Sequence, residues 1–145
     1  VDLVGLCAEE CARVGARLDV PQGQVSLEVQ GVTKLLRRMV RNLLENAMRY
    51  GAAAGQEDDV VLELALQDDG PMLRVCDRGP GVPPEYRERI FEPFFRLPGA
   101  SERAGGVGLG LALVRSIAER HGARVGCSDR EGGGACFELR GFDAR

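Results

Sequence analysis

The stretch from 32 to 50, VTKLLRRMVRNLLENAMRY, constrains this chain more than any other. At about 100° per residue, a helix over these positions has three separate faces. Leu36, Val40, Leu43, Leu44 and Ala47 form an apolar stripe that predicts a core contact. Lys34, Arg37 and Arg41 fall on the opposite side, which reads as solvated. Between them lie Asn42, Asn46 and Arg49, with Tyr50 at the edge. Asparagine is a mediocre helix former, because its side chain competes for backbone hydrogen bonds. Two of them on one face mark a border where a polar ligand could sit, or where they bond to neighbouring backbone.

The flanking segments predict a mixed architecture. Residues 2–16 read as a helix with Leu3, Leu6, Cys7 and Val14 on one side. Residues 16–20 and 25–29 read as short strands around Pro21-Gln22-Gly23. Residues 60–66 and 72–77 alternate apolar and polar positions and flank Asp69-Gly70, a hairpin signal. A short helix is expected over 84–90, and a longer one over 107–121 with Gly122 as its C-terminal cap. Residues 123–129 and 134–140 form a last hairpin around REGGG. Helices interspersed with mainly antiparallel strands predict an α+β fold, a two-layer sandwich with about three helices on one face of a mixed sheet. With 145 residues and no internal repeat, the whole of 1–145 is expected to be a single domain.

Bulk properties exclude several classes. A net charge of −3 and a pI near 5.3 argue against a nucleic-acid partner. No apolar run approaches the ~18 residues that span a bilayer. With no signal-peptide pattern and no initial Met, the chain reads as a piece of a larger protein, with any membrane segment outside it. The five cysteines, at 7, 11, 76, 127 and 136, form no CxxC pair. That pattern predicts buried, reduced thiols in a cytosolic protein. Cys7 and Cys11, one turn apart, would give only half of a zinc site.

Two further motifs carry chemistry. In Asp77-Arg78-Gly79-Pro80-Gly81, directly after a strand, the glycines permit unusual dihedrals and close approach of a ligand, and the carboxylate points into whatever the turn encloses. A simple turn is the plainer alternative. In Gly105-Gly106-Val107-Gly108-Leu109-Gly110-Leu111, glycines run into a helix start, where backbone N–H groups and the helix dipole suit phosphate. A glycine hinge is the plainer alternative. No βαβ unit surrounds the run and no Gly-Lys-Ser/Thr follows, so it is neither a dinucleotide fingerprint nor a P-loop.

Taken together and in order, the Asn42/Asn46 helix, the DxGxG turn, IFEPFFR at 90–96 and the GxGLGL helix start are far more specific than any one of them. Over essentially the whole chain they resemble the ATP-binding catalytic domain of bacterial two-component sensor histidine kinases. That family has the Bergerat fold, shared with type II topoisomerases and mismatch-repair ATPases. The resemblance implies ATP and Mg²⁺ as cofactors. It implies that Asn46 offers an oxygen to Mg²⁺, with Asn42 matching the first asparagine of the box. It places Arg49 on the phosphates, Tyr50 beside the adenine, and Asp77 on the adenine amino group. Gly79 and Gly81 would floor the adenine pocket, with Val82 and Ile90 lining it. Gly106, Val107, Gly108, Leu109, Gly110 and Leu111 would meet the phosphates. Residues 96–105 would be a mobile lid, and its Arg103 would reach the terminal phosphate. Where hydrolysing relatives usually have a glutamate that activates water, this chain has Asn42. Glu45 is the nearest carboxylate in sequence and a candidate base. Phe91, Phe94 and Phe95 would pack the core and anchor the lid, with Phe94 or Phe95 also meeting a partner domain.

The sequence departs from the family pattern at Arg78, often Asn or Thr, and at Ala135, often Thr. The only histidine, His121, matches a packing and capping place rather than a phosphoacceptor. The resemblance therefore implies that the accepting His lies on a separate helical dimerisation domain. It also implies a homodimeric full-length protein anchored in the cell membrane, and a response regulator as phosphoryl acceptor. This domain would be cytoplasmic, with no membrane contact of its own. The alternative is an ATP-binding switch module or degenerate kinase that binds a partner without transfer. A serine-directing anti-sigma-factor kinase is a related possibility.

Overall fold

The computed structural model describes residues 1–50, 59–95 and 110–143. Helix α1 spans Leu3–Val14, strand β1 Arg17–Asp19 and helix α2 Thr33–Tyr50. Strands β2, Val61–Gln67, and β3, Gly70–Cys76, follow. Helix α3 is Gly110–Arg120, and strands β4, Arg124–Asp129, and β5, Ala135–Arg140, close the described order.

The strands make one sheet in the order β1-β2-β3-β5-β4. Only β1 and β2 run parallel, and the other neighbours are antiparallel. Inward-facing Leu62, Leu64, Leu73, Val75, Phe137 and Leu139 share one buried cluster with Leu36, Met39, Val40, Leu43, Leu44 and Ala47 of α2. The stripe read from the sequence is therefore the core contact. The opposite sheet face carries a cross-strand charge ladder, Glu63 and Glu138 flanking Arg74 at 2.8 and 3.6 Å. The α+β class and the mixed, mainly antiparallel sheet are as expected.

Helix ends follow local chemistry. The Asp2 side chain accepts the Val4 and Leu27 N–H groups, each at 3.0 Å, so it caps α1 and ties it to the segment 25–29. Helix α3 ends in a Schellman turn: Gly122 has φ +79°, and the Ala123 N–H reaches the Ala118 carbonyl at 2.8 Å.

Four local expectations are revised. Residues 25–29 make no strand of the sheet. They pair with the N-terminus through a single bridge, Asp2 to Glu28. The segment 84–90 is two separate 3₁₀ turns, Pro84–Tyr86 and Arg89–Phe91, rather than one helix. Pro83 and Pro84 supply no N–H, which limits helix growth there.

The third revision concerns α2. Arg37 and Arg41 are not on a free solvated side. Both reach across to Glu10 of α1, Arg37 at 3.0 Å and Arg41 at 2.9 and 3.0 Å, and Arg13 adds a third guanidinium at 3.2 Å. A wheel drawn for one helix cannot show that a second helix covers that side.

The fourth concerns the thiols. Cys76 and Cys136 are joined as a disulfide, not held reduced. They lie directly opposite one another on β3 and β5, a register that linear spacing does not reveal. Cys7, Cys11 and Cys127 are free. No helix among the described residues is long and apolar enough to cross a membrane.

Candidate functional site

Asp77 continues the inward parity of Leu73 and Val75 beyond the end of β3, so its carboxylate turns toward the helical layer. It is 4% exposed. Its Oδ1 accepts the Gly79 N–H at 2.9 Å and the Ala135 N–H at 3.2 Å. Among the described residues, nothing hydrogen-bonds Oδ2. Burial raises the Asp77 pKa, and the two backbone donors pull against that rise. One oxygen is thus fixed by two backbone donors.

The glycines around it act through size and handedness. Gly81 has φ +78° and lies beside the Gly134 carbonyl. Gly134 has φ +113°, and a Cβ there would stand 1.9 Å from the Asp77 carbonyl oxygen. Any side chain would push the turn before β5 away from the carboxylate. Val82 and Ile90, 9% and 7% exposed, supply apolar wall on the next segment. Arg87 holds that segment, donating to the Val82 carbonyl at 3.1 Å and to Asp129 at 2.7 Å.

Asn42 and Asn46 lie half-buried on one face of α2. The Asn42 amide N–H reaches the carbonyl of Gly110, the first residue of α3, at 3.4 Å. That contact brings the asparagine face of α2 to the end of the glycine run. Gly110 is exposed, Leu111 is half-buried against the core, and Arg49 is exposed. The Tyr50 side chain lies outside the described residues, as do Arg103, Gly106, Val107, Gly108, Leu109 and the whole of 96–105. Glu45 is exposed and lies 3.6 Å from Arg13, within the charged network between α1 and α2.

Of the phenylalanine motif, Phe91 is buried edge-on against Phe137, with ring centres 6.3 Å apart. Phe95 packs on Tyr86, and the Arg89 guanidinium lies 4.7 Å above its ring. Phe94 is 69% exposed and adopts φ +67°. His121 is buried. Its Nε2 accepts the Val32 N–H at 3.1 Å, and Nδ1 then donates to the Ile117 carbonyl at 2.7 Å, so the neutral ring is a packed tie between α3 and the start of α2.

Sequence reasoning missed three contributors to this region. The Ala135 N–H is one, since no side chain advertises a backbone donor. The others are Asp59 and Arg130. Arg78 reaches Asp59 at 3.1 Å, and Arg130 reaches it at 3.2 Å. Nothing in the spacing of Asp59 and Arg78 signals that pairing. Arg78 itself stood out only as an unusual residue after the aspartate.

The site's described part is thus a buried carboxylate with one oxygen held by two backbone N–H groups and tight glycine turns beside it, in an α+β sandwich whose longest helix carries two amides on one face. The chain matches the family described as histidine kinase-, DNA gyrase B- and HSP90-like ATPases over residues 31–144, and it belongs to that family. It is 47% identical to the sensor protein RstB of Escherichia coli over 107 residues, which cover 73% of this chain and 24% of RstB. Its fold is similar to that of the mycobacterial sensor histidine kinase MprB, with TM-score 0.78 and 29% identity, covering 96% and 93% of the two chains. It is also similar to full-length ShkA, solved in complex with AMPPNP, with TM-score 0.73 and 28% identity, covering all of this chain and 31% of ShkA. The chain spans about a quarter of the length of the curated relatives it matches.

Proposed function

We propose that this chain is a single catalytic domain, 1–145, that binds Mg-ATP and transfers the γ-phosphoryl group to a histidine on a separate helical dimerisation domain. The phosphoryl group would then pass to a response regulator. The observation that carries the reading is Asp77: an acceptor carboxylate, buried and oriented by two backbone N–H groups. Such a group accepts the adenine amino hydrogen and repels guanine, whose six-position oxygen is itself an acceptor. The AMPPNP in the similar ShkA structure supports a nucleoside triphosphate as ligand.

The residues divide the remaining work. Gly79, Gly81, Val82 and Ile90 shape the adenine pocket, with Tyr50 beside it. Arg49, Gly106, Val107, Gly108, Leu109, Gly110 and Leu111 hold the phosphates, and Arg103 reaches the terminal one. The donor set fits Mg²⁺, which takes few protein oxygens and relies on phosphate and water. Asn46 is half-buried one turn after Asn42 on the same face, and its amide oxygen would be the protein's ligand to the ion. When bound, Mg²⁺ would neutralise charge on the phosphates. Asn42, a neutral amide, is a poor base, which favours transfer over hydrolysis. Glu45 is the carboxylate candidate for base, although its pairing with Arg13 draws it toward α1. Catalysis then rests on positioning and charge neutralisation.

The exposed Phe94 suits contact with the dimerisation domain. The domain works in the cytoplasm, in a homodimeric parent anchored in the cell membrane, with no nucleic-acid partner. The test is incubation with γ-labelled ATP and the parent's helical domain. Acid-labile label on that domain is the expected result. ATP binding without transfer would identify a switch module or degenerate kinase instead.

A further inference from the structure

The turn that delivers the Ala135 N–H to Asp77 has little to hold it in place. Gly132, Gly133 and Gly134 have φ of +87°, +112° and +113° and no side chains to pack. A run of three glycines has many accessible conformations. The turn's own backbone contributes two bonds: the Arg130 N–H to the Gly134 carbonyl at 3.0 Å, and the Gly133 N–H to the Arg130 carbonyl at 2.9 Å. The side-chain ties come from two arginines, Arg78 and the turn's own Arg130. Arg78 Nη1 donates to the Glu131 carbonyl at 2.6 Å and to the Gly133 carbonyl at 2.9 Å. Its Nε donates to Asp59 Oδ2 at 3.1 Å. Asp59 is held in turn by Arg130, whose Nη2 meets Oδ1 at 3.2 Å and whose Nη1 meets the Asp59 carbonyl at 2.8 Å. Asp59, at the foot of β2, is thus the post to which Arg130 ties the start of the turn, and Arg78 is the strut from it to the Glu131 and Gly133 carbonyls at the glycine end.

We propose that Arg78 is a positioning residue for adenine selectivity: by clamping the glycine turn to Asp59, it holds the Ala135 N–H on Asp77 Oδ1 and so aims Oδ2 at the six-amino group. The proposal rests on the ATP reading above. A planar guanidinium suits the task, since it can bond two carbonyls and a carboxylate in fixed directions. Arg78 has no need to touch the nucleotide. Its effect passes through Asp77, so it falls on discrimination at the six position rather than on phosphate binding.

The test is calorimetric titration of the 145-residue chain with Mg-ATP and with the Mg complex of purine riboside triphosphate, which lacks only the six-amino group. The unsubstituted chain prefers ATP. In Arg78→Gln that preference falls about 3- to 10-fold, the range of one lost hydrogen bond. Arg78→Lys, a single point donor, recovers part of it, and Asp59→Asn loses part of it. An unchanged ratio in Arg78→Gln and Asp59→Asn overturns the proposal, even if both nucleotides weaken together, because that is what a merely structural clamp would give. If Arg78→Gln fails to fold, the Lys and Asp59→Asn variants decide in the same way. Equal binding of the two nucleotides by the unsubstituted chain would remove the adenine reading itself, and this proposal with it.

Discussion

Asp77 and Ala135 are joined twice. The Asp77 N–H donates to the Ala135 carbonyl at 2.9 Å, and the Ala135 N–H donates to Asp77 Oδ1 at 3.2 Å. The first bond continues the β3–β5 ladder, and the second fixes the carboxylate at the ladder's end. Asp77→Asn can keep both bonds if its amide oxygen takes the Oδ1 place. Its NH₂ then faces the adenine amino group, donor against donor. Losing a hydrogen bond to a charged acceptor predicts ATP binding weaker on the order of 10- to 100-fold, with the fold intact. Titration beside a circular-dichroism melt checks it.

Gly134 and Gly133 test the close packing behind that carboxylate. Both have φ above +110°, but only at Gly134 would a Cβ meet the Asp77 carbonyl, while at Gly133 nothing lies within 4 Å. Gly133→Ala should cost on the order of 1 kcal/mol from backbone strain alone. Gly134→Ala should cost roughly 2–4 kcal/mol and impair ATP binding. Urea unfolding of the two variants gives the difference, and equal costs would count against the tight approach.

Much of this was legible in the sequence, and the failures share a cause. Leu36, Val40, Leu43, Leu44 and Ala47, assigned to the core from periodicity, are all 0% exposed. Local chemistry also placed both hairpins and the Gly122 cap. The misassigned features depend on what a second element brings. Arg37 and Arg41 looked solvated because their partner, Glu10, is on another helix. A signal for Glu10 did exist: it follows Leu6 by four residues and Cys7 by three, so it falls on the buried side of α1. Cys76 and Cys136, 60 residues apart, meet only through strand order. The Ala135 N–H and the Asp59–Arg78 strut likewise depend on register. Arg103 and the glycine run up to Leu109 lie outside the described residues, so their roles stand as proposals.

The Glu10 network makes acid stability a prediction. Glu10 is 2% exposed, and hydrogen bonds from Arg41 foremost, then Arg37 and Arg13, bring its pKa down to about 2 against the cost of burial. In the unfolded chain a glutamate titrates near ~4.3. A depressed folded pKa contributes stability that is full above the unfolded value and is lost as pH falls through the folded one. The contribution should therefore fade between about pH 4.5 and 2. Glu10→Gln should lower stability at pH 7 and flatten its fall across that window, measured by urea unfolding at a series of pH values. Parallel pH profiles for the two proteins would refute the assignment.

The cysteines predict a thiol count. Without reductant and in denaturant, three thiols should react, Cys7, Cys11 and Cys127, with Cys76 and Cys136 paired. In the folded protein those three should react slowly, since burial pushes Cys7 upward and Cys11 and Cys127 up to about 11. Reducing a link across 60 residues should cost about 4 kcal/mol in the chain-entropy account. Five reactive thiols in denaturant without reductant would contradict the pairing.

The central claim is that Asp77 and Asn46 together make this chain an adenine- and Mg²⁺-dependent site. The most direct measurement is calorimetric titration with ATP, with and without Mg²⁺, against GTP. The account predicts binding of ATP but not GTP, stronger with Mg²⁺, and loss of the Mg²⁺ dependence in Asn46→Ala. Equal binding of GTP, or no binding at millimolar ATP, would contradict it.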